Sequence, residues 1–300
     1  AIKQLTLDLA ADSFLGVPLG SEADAINKAF VDMVQAAVGV VRKPLPFTAM
    51  GRGVAGRKFL IEYFTRETLK RRAEGGGQDM FSQFATATHE DGSLMPVGEV
   101  VDHMIFLMMA AHDTITSSAT SLVWLLAKHR EWQDKLRAEA LAVTGGVGRP
   151  VAYDDLGKLE LTEMAFKEAL RLIPPVPSVP RRALREFEFG GYRIPAGSAV
   201  GISPQAVHMD PDHWTEPKTF NPMRFTPEMI AKRHKYAWVP FGGGAHMCIG
   251  LHFAYMQVKV LMAQILTRYQ IEIESGYTPK WQAFPIPKPK DGLQVNFTPL

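Results

Sequence analysis

The stretch Pro240-Phe241-Gly242-Gly243-Gly244-Ala245-His246-Met247-Cys248-Ile249-Gly250 is the most informative part of the chain, and we call it the Cys248 loop. Its consecutive glycines allow a tight bend and a close approach of the backbone to a bound group. Cys248, the only cysteine, follows that bend and is predicted to begin a helix that runs to about Gln270. The N–H groups and positive potential at a helix start favour a thiolate, which can bind a metal. Phe241 can shield this sulfur from water.

Other interpretations of the lone cysteine are possible. A zinc or iron–sulfur centre needs several cysteine or histidine ligands, and the chain has no further cysteine. A thiol nucleophile with a histidine partner would use similar electrostatics. A small buried cysteine behind a glycine turn would have no chemical role. The glycine run, the aromatic residue and the predicted helix start together argue against this purely structural role.

Composition indicates an ordinary globular protein. The chain has 300 residues, of which 46% are hydrophobic and 21% charged, and its 33 basic and 31 acidic residues give a net charge of +2. This balance argues against nucleic acid as a partner. One cysteine excludes an internal disulfide and fits a reducing compartment, and no signal-peptide pattern is visible, so we expect a cytoplasmic protein. Residues 104–127 could span a bilayer, but His112 and Asp113 at their centre favour a buried helix.

The periodicity predicts a mainly α protein with a minor β part. We expect one domain over residues 1–300, with a helical part over about 1–172 and a part with β-strands and the Cys248 loop over about 173–300. Residues 204–238 are predicted to lack regular structure, and the end of the chain is strand-like. The predicted helices cover residues 2–15, 21–41, 54–73, 96–143 as one or two helices, and 153–172, and short strands are predicted at 187–189, 192–194 and 198–202.

The pattern Phe241-x-x-Gly244-x-His246-x-Cys248-x-Gly250 resembles the heme-binding signature of the cytochrome P-450 family, Phe-x-x-Gly-x-Arg-x-Cys-x-Gly. The resemblance implies the cytochrome P-450 fold, without the family's N-terminal part, to which any membrane attachment would belong. It also implies heme b as cofactor, with Cys248 as the axial ligand of the iron. His246 stands where an arginine usually pairs with a heme propionate. A histidine makes that pairing weaker and dependent on pH.

Further motifs follow the family order. Glu168 and Arg171, at i and i+3 on one helix face, resemble the family's Glu-x-x-Arg. Arg224 stands where the resemblance implies a third charge, whereas Met223 replaces the usual acid. These three charges would form a structural triad that holds the Cys248 loop. Arg181 resembles the residue that holds a propionate, and Arg182 is the alternative.

The segment Ala110-Ala111-His112-Asp113-Thr114 resembles the family's oxygen-activating motif. The small residues Ala110 and Ala111 leave room beside a bound group, although a glycine is usual at the position of Ala111. Asp113 and Thr114 are the predicted catalytic residues, because an acid and a hydroxyl can form a proton relay. We interpret His112 as a hydrogen-bonded polar residue rather than an iron ligand.

The resemblance implies a monooxygenase that inserts one oxygen atom of O2 into a lipophilic small molecule. Electrons would come from NAD(P)H through a separate ferredoxin or flavoprotein reductase, because no dinucleotide or flavin fingerprint is present. The basic run at residues 232–235 either helps to receive an acidic partner or is a solvated loop. The alternatives are a heme-thiolate isomerase or dehydratase and a truncated heme-binding protein without activity. The predicted substrate pocket contains Phe106, Ala110, Val176, Val179 and Phe284.

Overall fold

The computed structural model describes residues 2–283 and 285–300 of the chain. These residues divide into two compact units, of which the first extends to Thr116 and the second covers Ser117–Leu300. The division falls inside the longest helix, so each part of that helix is described with its own unit. The organisation as one domain stays a prediction.

The first unit is helical. Its helices are α1 (Ile2–Leu15), α2 (Ser21–Ala37), α3 (Ala49–Glu74), α4 (Met80–Thr86) and the first part of α5 (Val97–Lys128). All of them contribute to one apolar core that includes Leu15, Phe30, Phe64, Phe81 and Met104. Helices α2 and α3 lie very close together, because a Cβ atom on Gly53 would come within 2.2 Å of the Ala36 Cβ atom.

Local capping moves several helix ends away from their predicted positions. Helix α3 begins at Ala49 rather than near residue 54, because Thr48 Oγ1 accepts the N–H of Gly51 at 3.0 Å and caps the helix. Helix α2 ends at Ala37 rather than at residue 41, where the N–H of Gly39 bonds back to the carbonyl of Ala36. Helix α4 has no counterpart among the predicted helices.

The second unit combines helices, 3-10 turns and short strands. It contains the remainder of α5, then α6 (Arg130–Thr144), α7 (Glu160–Leu172), α8 (Pro204–His208), α9 (Pro227–Ala231) and α10 (Leu251–Leu266), with 3-10 turns at Tyr153–Lys158, Pro222–Phe225 and Gly244–His246. Helix α10 contacts both α6 and α7. Glu139 of α6 accepts the N–H groups of Leu161 and Thr162 at 2.6 and 3.0 Å, so α6 caps the start of α7 through a side chain.

Three sequence expectations need correction in this unit. Residues 153–172 form the turn Tyr153–Lys158 and α7 rather than one helix. Helix α10 begins at Leu251, after Cys248, and ends at Leu266. The segment 204–238, predicted to be irregular, contains two short helices and a 3-10 turn, each starting at a proline behind a polar capping side chain.

The described strands form four antiparallel pairs. The pairs are β1 (Val179–Arg182) with β4 (Ala199–Ile202), β2 (Phe187–Phe189) with β3 (Tyr192–Ile194), β5 (Tyr269–Glu272) with β8 (Asn296–Pro299), and β6 (Trp281–Gln282) with β7 (Lys288–Pro289). The prediction of a mainly α fold with a minor β part is confirmed. In the part of the chain that the structure describes, no helix is both long and apolar enough to cross a membrane.

Candidate functional site

Two glycines shape the Cys248 loop. Gly242 and Gly244 have φ angles of +71° and +67°, in the left-handed region that residues with a side chain rarely adopt. The N–H of Cys248 donates to the carbonyl of Phe241 at 2.9 Å and closes the bend. The loop is therefore a defined turn that presents its cysteine at the far end.

Cys248 is exposed, and it ends the loop rather than beginning helix α10. Its N–H is used by the carbonyl of Phe241, and the helix starts at Leu251, with Gly250 as the N-cap residue. The sulfur still lies beside this helix end, because a Cβ atom on Gly250 would be 3.8 Å from Sγ. The positive end of the helix dipole therefore lies near the sulfur.

The ring of Phe241 is fixed from both sides. It contacts the rings of Trp238 and Tyr255, with centroid distances of 6.1 and 5.7 Å. Burial and the Glu163 carboxylate both raise the pKa of the Tyr255 phenol, so this side chain stays neutral. Trp238 and Tyr255 were not expected at the site, because no sequence pattern distinguishes them from ordinary aromatic core residues.

Glu168 and Arg171 form a fully buried ion pair on α7. Arg171 Nε donates to Glu168 Oε2 at 2.7 Å, and Nη2 donates to Oε1 at 2.8 Å. The remaining guanidinium hydrogens are used by main-chain carbonyls of His208, Pro217 and Thr219, at 2.9, 2.6 and 3.2 Å. The pair therefore organises the segment between α8 and the turn Pro222–Phe225, since a buried guanidinium needs these acceptors.

Arg224 completes this cluster, which we call the Glu168 network (Glu168, Arg171 and Arg224). Arg224 Nε donates to Glu168 Oε1 at 3.3 Å, and its Nη2 donates to the carbonyl of Glu216 at 3.0 Å. The neighbouring Met223 is exposed. The structure thus brings together the three charged side chains that the sequence singled out, without an acid at position 223.

Arg233, which was not predicted to belong to the triad, also contacts this cluster. Its guanidinium carbon lies 4.1 Å from the ring centre of Trp214 and 4.9 Å from that of Phe225, and its Nη2 donates to the carbonyl of Arg224. Burial, followed by the charges of Arg171 and Arg224, lowers its pKa to about 10. Within residues 232–235, which were expected to help receive an acidic partner or to form a solvated loop, Arg233 is half-buried because its guanidinium stacks on two aromatic rings.

Cationic side chains elsewhere in the second unit remain accessible. Arg181 and Arg182 are exposed on β1, where Arg181 Nη1 donates only to the carbonyl of Pro180 at 2.9 Å. His246 is exposed in the turn Gly244–His246. Within residues 2–283 and 285–300, none of the three forms an ion pair. They can therefore still bind carboxylates of a ligand.

The predicted oxygen-activating segment lies on α5, in the first unit. Ala110 is exposed and Ala111 half-buried, and Thr114 Oγ1 donates to the carbonyl of Ala110 at 2.7 Å. His112 is buried, with Nδ1 at 3.1 Å from Asp113 Oδ1. Neither ring nitrogen of His112 makes a hydrogen bond with the described residues. The interpretation of His112 as hydrogen-bonded is therefore wrong, because the contact with Asp113 has the distance but not the geometry of such a bond.

The predicted pocket residues fall on different elements. Phe106 is 61% exposed on α5. Val176 is also exposed, and Val179 is half-buried at the start of β1. Phe284 lies outside the described residues. The first unit contains Phe106 and Ala110, and the second contains Val176 and Val179.

A mainly helical fold, an exposed thiol on a glycine loop and a buried glutamate–arginine network define a class of proteins that can hold a metal through one thiolate. The model of the family described as Cytochrome P450 matches residues 2–297. The chain therefore belongs to the cytochrome P450 family.

Several known proteins resemble the chain. A protein of Mycobacterium tuberculosis named "Putative cytochrome P450 136" is 38% identical over 304 residues, an alignment that covers 100% of the chain and 61% of that protein. The "Lanosterol 14-alpha demethylase" of Bos taurus is 33% identical over 236 residues, which cover 78% of the chain and 47% of that protein. The solved structure described as "Retinoic acid bound cyanobacterial CYP120A1" superposes with a TM-score of 0.89 at 27% identity, covering 100% of the chain and 68% of that structure. The chain thus spans about three fifths of the length of the first of these relatives.

The residues of the second unit fit the heme that the family implies. The donor set is one exposed thiol, and the apolar Met247 and Ile249 beside it are 57% and 83% exposed. The cations of Arg181 and His246 suit propionate groups. This combination of an axial donor, apolar flanking side chains and accessible cations matches an amphiphilic macrocycle with two carboxylates.

Proposed function

We propose that the chain is the larger part of a heme-thiolate monooxygenase. The reaction is the insertion of one oxygen atom from O2 into a lipophilic small molecule, with electrons from a separate redox protein. The observation that carries this proposal is the exposed thiol of Cys248, at the end of a closed glycine loop and beside the N-terminus of α10.

The cofactor role is assigned to residues around the loop. Cys248 would bind the iron through its sulfur, and Gly244 and Gly250 keep the backbone next to it free of side chains. Phe241 is held by two aromatic neighbours and would help to shield the sulfur from water when the heme is bound. Arg181 and His246 bind the propionates.

Residues of α5 supply the proton chemistry. The heme, when bound, supplies the iron at which O2 is reduced and cleaved. Thr114 holds a proton on Oγ1 and Asp113 exchanges protons with solvent through its carboxylate, since an acid and a hydroxyl can act in series. The small side chains of Ala110 and Ala111 leave room beside the helix for a bound group.

The substrate is a lipophilic compound, and the electron donor is a ferredoxin or flavoprotein reductase that uses NAD(P)H. Two relatives support the substrate class by their names, which mention lanosterol and retinoic acid. Phe106, Ala110, Val176 and Val179 are the pocket residues proposed among those described. The cytoplasmic location, based on cysteine usage, stays a prediction.

The carbon monoxide difference spectrum of the reduced, heme-loaded protein tests this proposal. We expect a strongly red-shifted Soret band, and Cys248→Ser is expected to abolish that shift while heme stays bound. NAD(P)H-dependent oxygen uptake with a reductase and a lipophilic substrate tests the reaction class. An unshifted band in the folded, unsubstituted protein, or turnover without a reductant, would contradict the proposal.

A further inference from the structure

His208 has a position in the second unit that the proposed mechanism does not use. It is the last residue of α8 and is completely buried. Its ring nitrogen Nε2 accepts the N–H of Val239 at 2.9 Å. Val239 directly precedes the Cys248 loop, so this bond fixes the backbone where the loop begins.

The main chain of His208 is tied to the Glu168 network. Its carbonyl accepts Arg171 Nη1 at 2.9 Å, and Arg171 in turn holds Glu168. The preceding residue is also fixed, because Trp214 Nε1 donates to the carbonyl of Val207 at 3.2 Å. The backbone that carries the His208 ring is therefore fixed by these two hydrogen bonds.

The peptide groups that follow continue this connection to the sulfur. The carbonyl of Val239 accepts the N–H of Gly242 at 3.1 Å, and the carbonyl of Phe241 accepts the N–H of Cys248 at 2.9 Å. Hydrogen bonds thus run from the buried ion pair through His208 to the main chain of the cysteine.

The imidazole is in the protonation state that this contact needs. To accept from Val239, Nε2 must carry no proton, so the hydrogen of the neutral ring is assigned to Nδ1. Burial first, and then the positive charge of Arg171, lower the pKa of His208 to about 4. The ring is therefore neutral near pH 7 and remains an acceptor.

We propose that His208 is a positioning residue for the thiolate ligand. It transmits the fixed geometry of the Glu168 network to Val239 and so sets where the Cys248 loop places its sulfur. This inference rests on the proposed function, because it concerns the bond between that sulfur and iron. A buried histidine that only fills space would not need an acceptor at Nε2, and this difference can be tested.

Three substitutions distinguish the role of His208 as a hydrogen-bond acceptor from its role in filling space. His208→Leu removes the acceptor and keeps most of the volume, His208→Gln can place an amide oxygen near the position of Nε2, and His208→Asn is too short to do so. The matched surface control is His213→Leu, because His213 is exposed and follows on the same segment. Each variant is prepared as heme-loaded protein.

The main readouts are the iron reduction potential and the rate at which the red-shifted carbon monoxide complex converts to the unshifted form. We expect conversion about tenfold faster in His208→Leu and His208→Asn, since one buried hydrogen bond to the loop is lost. We expect His208→Gln to stay within about threefold of the unsubstituted protein, because the bond is retained. The reduction potential should shift in the first two variants only, and His213→Leu should change neither quantity.

Hydrogen–deuterium exchange of the Val239 amide tests the contact itself, with or without a thiolate-bound iron. Protection should be lost in His208→Leu and His208→Asn and retained in His208→Gln. Unchanged protection in His208→Leu, or equal spectral losses in His208→Leu and His208→Gln, would overturn the role of His208. An unshifted carbon monoxide band in the unsubstituted protein would instead overturn the proposed function, and with it the iron-related part of this inference.

Discussion

The thiol of Cys248 is accessible because the side chains next to it in sequence do not cover it. Met247 and Ile249 point their apolar side chains outward, although ordinary packing would bury such residues. A cluster of exposed apolar side chains around a polar donor is typical of a surface that receives a ligand. The exposure of Cys248 therefore distinguishes it from the buried structural cysteine that composition alone would favour.

Thr114 is the residue whose substitution should separate oxygen reduction from product formation. Thr114→Ala removes the hydroxyl that we propose holds the proton. We expect the red-shifted carbon monoxide band to remain, whereas product formed per O2 consumed falls about tenfold or more, as is usual when a proton-transfer group is lost. Simultaneous measurement of oxygen uptake, peroxide and product tests this.

Thr114→Ser is the control for that measurement. Serine keeps a hydroxyl that can bond to the carbonyl of Ala110, as Thr114 does at 2.7 Å. We expect it to retain most of the product yield. Equal yields from Thr114→Ala and the unsubstituted protein would contradict the assigned role.

Helix α7 carries the ion pair around which its neighbours are arranged. Arg171 donates to the carbonyl of His208 at the end of α8 and to two carbonyls of the segment that follows, and Glu168 also accepts the N–H of Asn221 at 2.9 Å. Glu168 and Arg171 each provide the counterion for the other's buried charge. Removal of one charge therefore leaves the other buried and uncompensated.

Glu168→Gln tests the energetic role of this pair. We expect a loss of about 3–5 kcal/mol in the free energy of unfolding, because Arg171 would keep its charge without a counterion. Glu163→Gln on the same helix is the matched control. Glu163 pairs with Lys167 and Lys259 at 2.7 and 2.6 Å but is 30% exposed, so about 1 kcal/mol is expected. Urea unfolding of both variants measures the difference. Equal losses of unfolding free energy would contradict a larger energetic contribution from the Glu168–Arg171 pair.

The junction between α8 and the Cys248 loop should make stability sensitive to acid. His208 has a pKa of about 4 in the folded protein against 6.5 for a free histidine. As pH falls through 6.5, the unfolded chain binds a proton that the folded chain does not bind, so stability decreases. The decrease ends below about pH 4 and amounts to roughly 3 kcal/mol.

Urea unfolding at pH 7 and pH 5 tests this sensitivity. His208→Gln has no titrating ring, so its loss of stability between the two pH values should be smaller than that of the unsubstituted protein by roughly 2 kcal/mol. Arg171 is the charged group that faces the ring. Identical losses in the two proteins would show that His208 does not titrate as described.

For the whole molecule, heme binding should contribute to folding stability. A ligand that binds only the folded state stabilises it by about 3 kcal/mol at a free concentration about 100 times its Kd. We therefore expect removal of the heme to lower the thermal unfolding midpoint. Calorimetry of heme-free and heme-loaded protein measures this, and Cys248→Ser should narrow the difference. Equal midpoints for the two forms would contradict heme binding by the folded chain.

Local residue patterns were sufficient to predict the fold class and the motifs of the candidate site. The spacing of Phe241, Gly244, Cys248 and Gly250 depends only on neighbours in sequence, and so does the placement of Glu168 and Arg171 on one helix face. Such patterns were enough to predict a mainly helical protein, its family and the two parts of the site. Helix ends were less predictable, because caps such as Thr48 and Glu139 depend on which partner is near.

The tertiary structure alone decided which distant residues support the cysteine. Arg233 reads as one charge in a basic run, yet its guanidinium stacks on Trp214 and Phe225. His208 reads as a loop residue, yet it meets Val239 across 31 positions of sequence. Contacts of this kind depend on how separate segments fold back, and their free energy comes from burial and from neighbours that no local periodicity encodes. Sequence patterns therefore determined the family and the proposed ligand, and the tertiary structure determined which residues hold the loop that carries it.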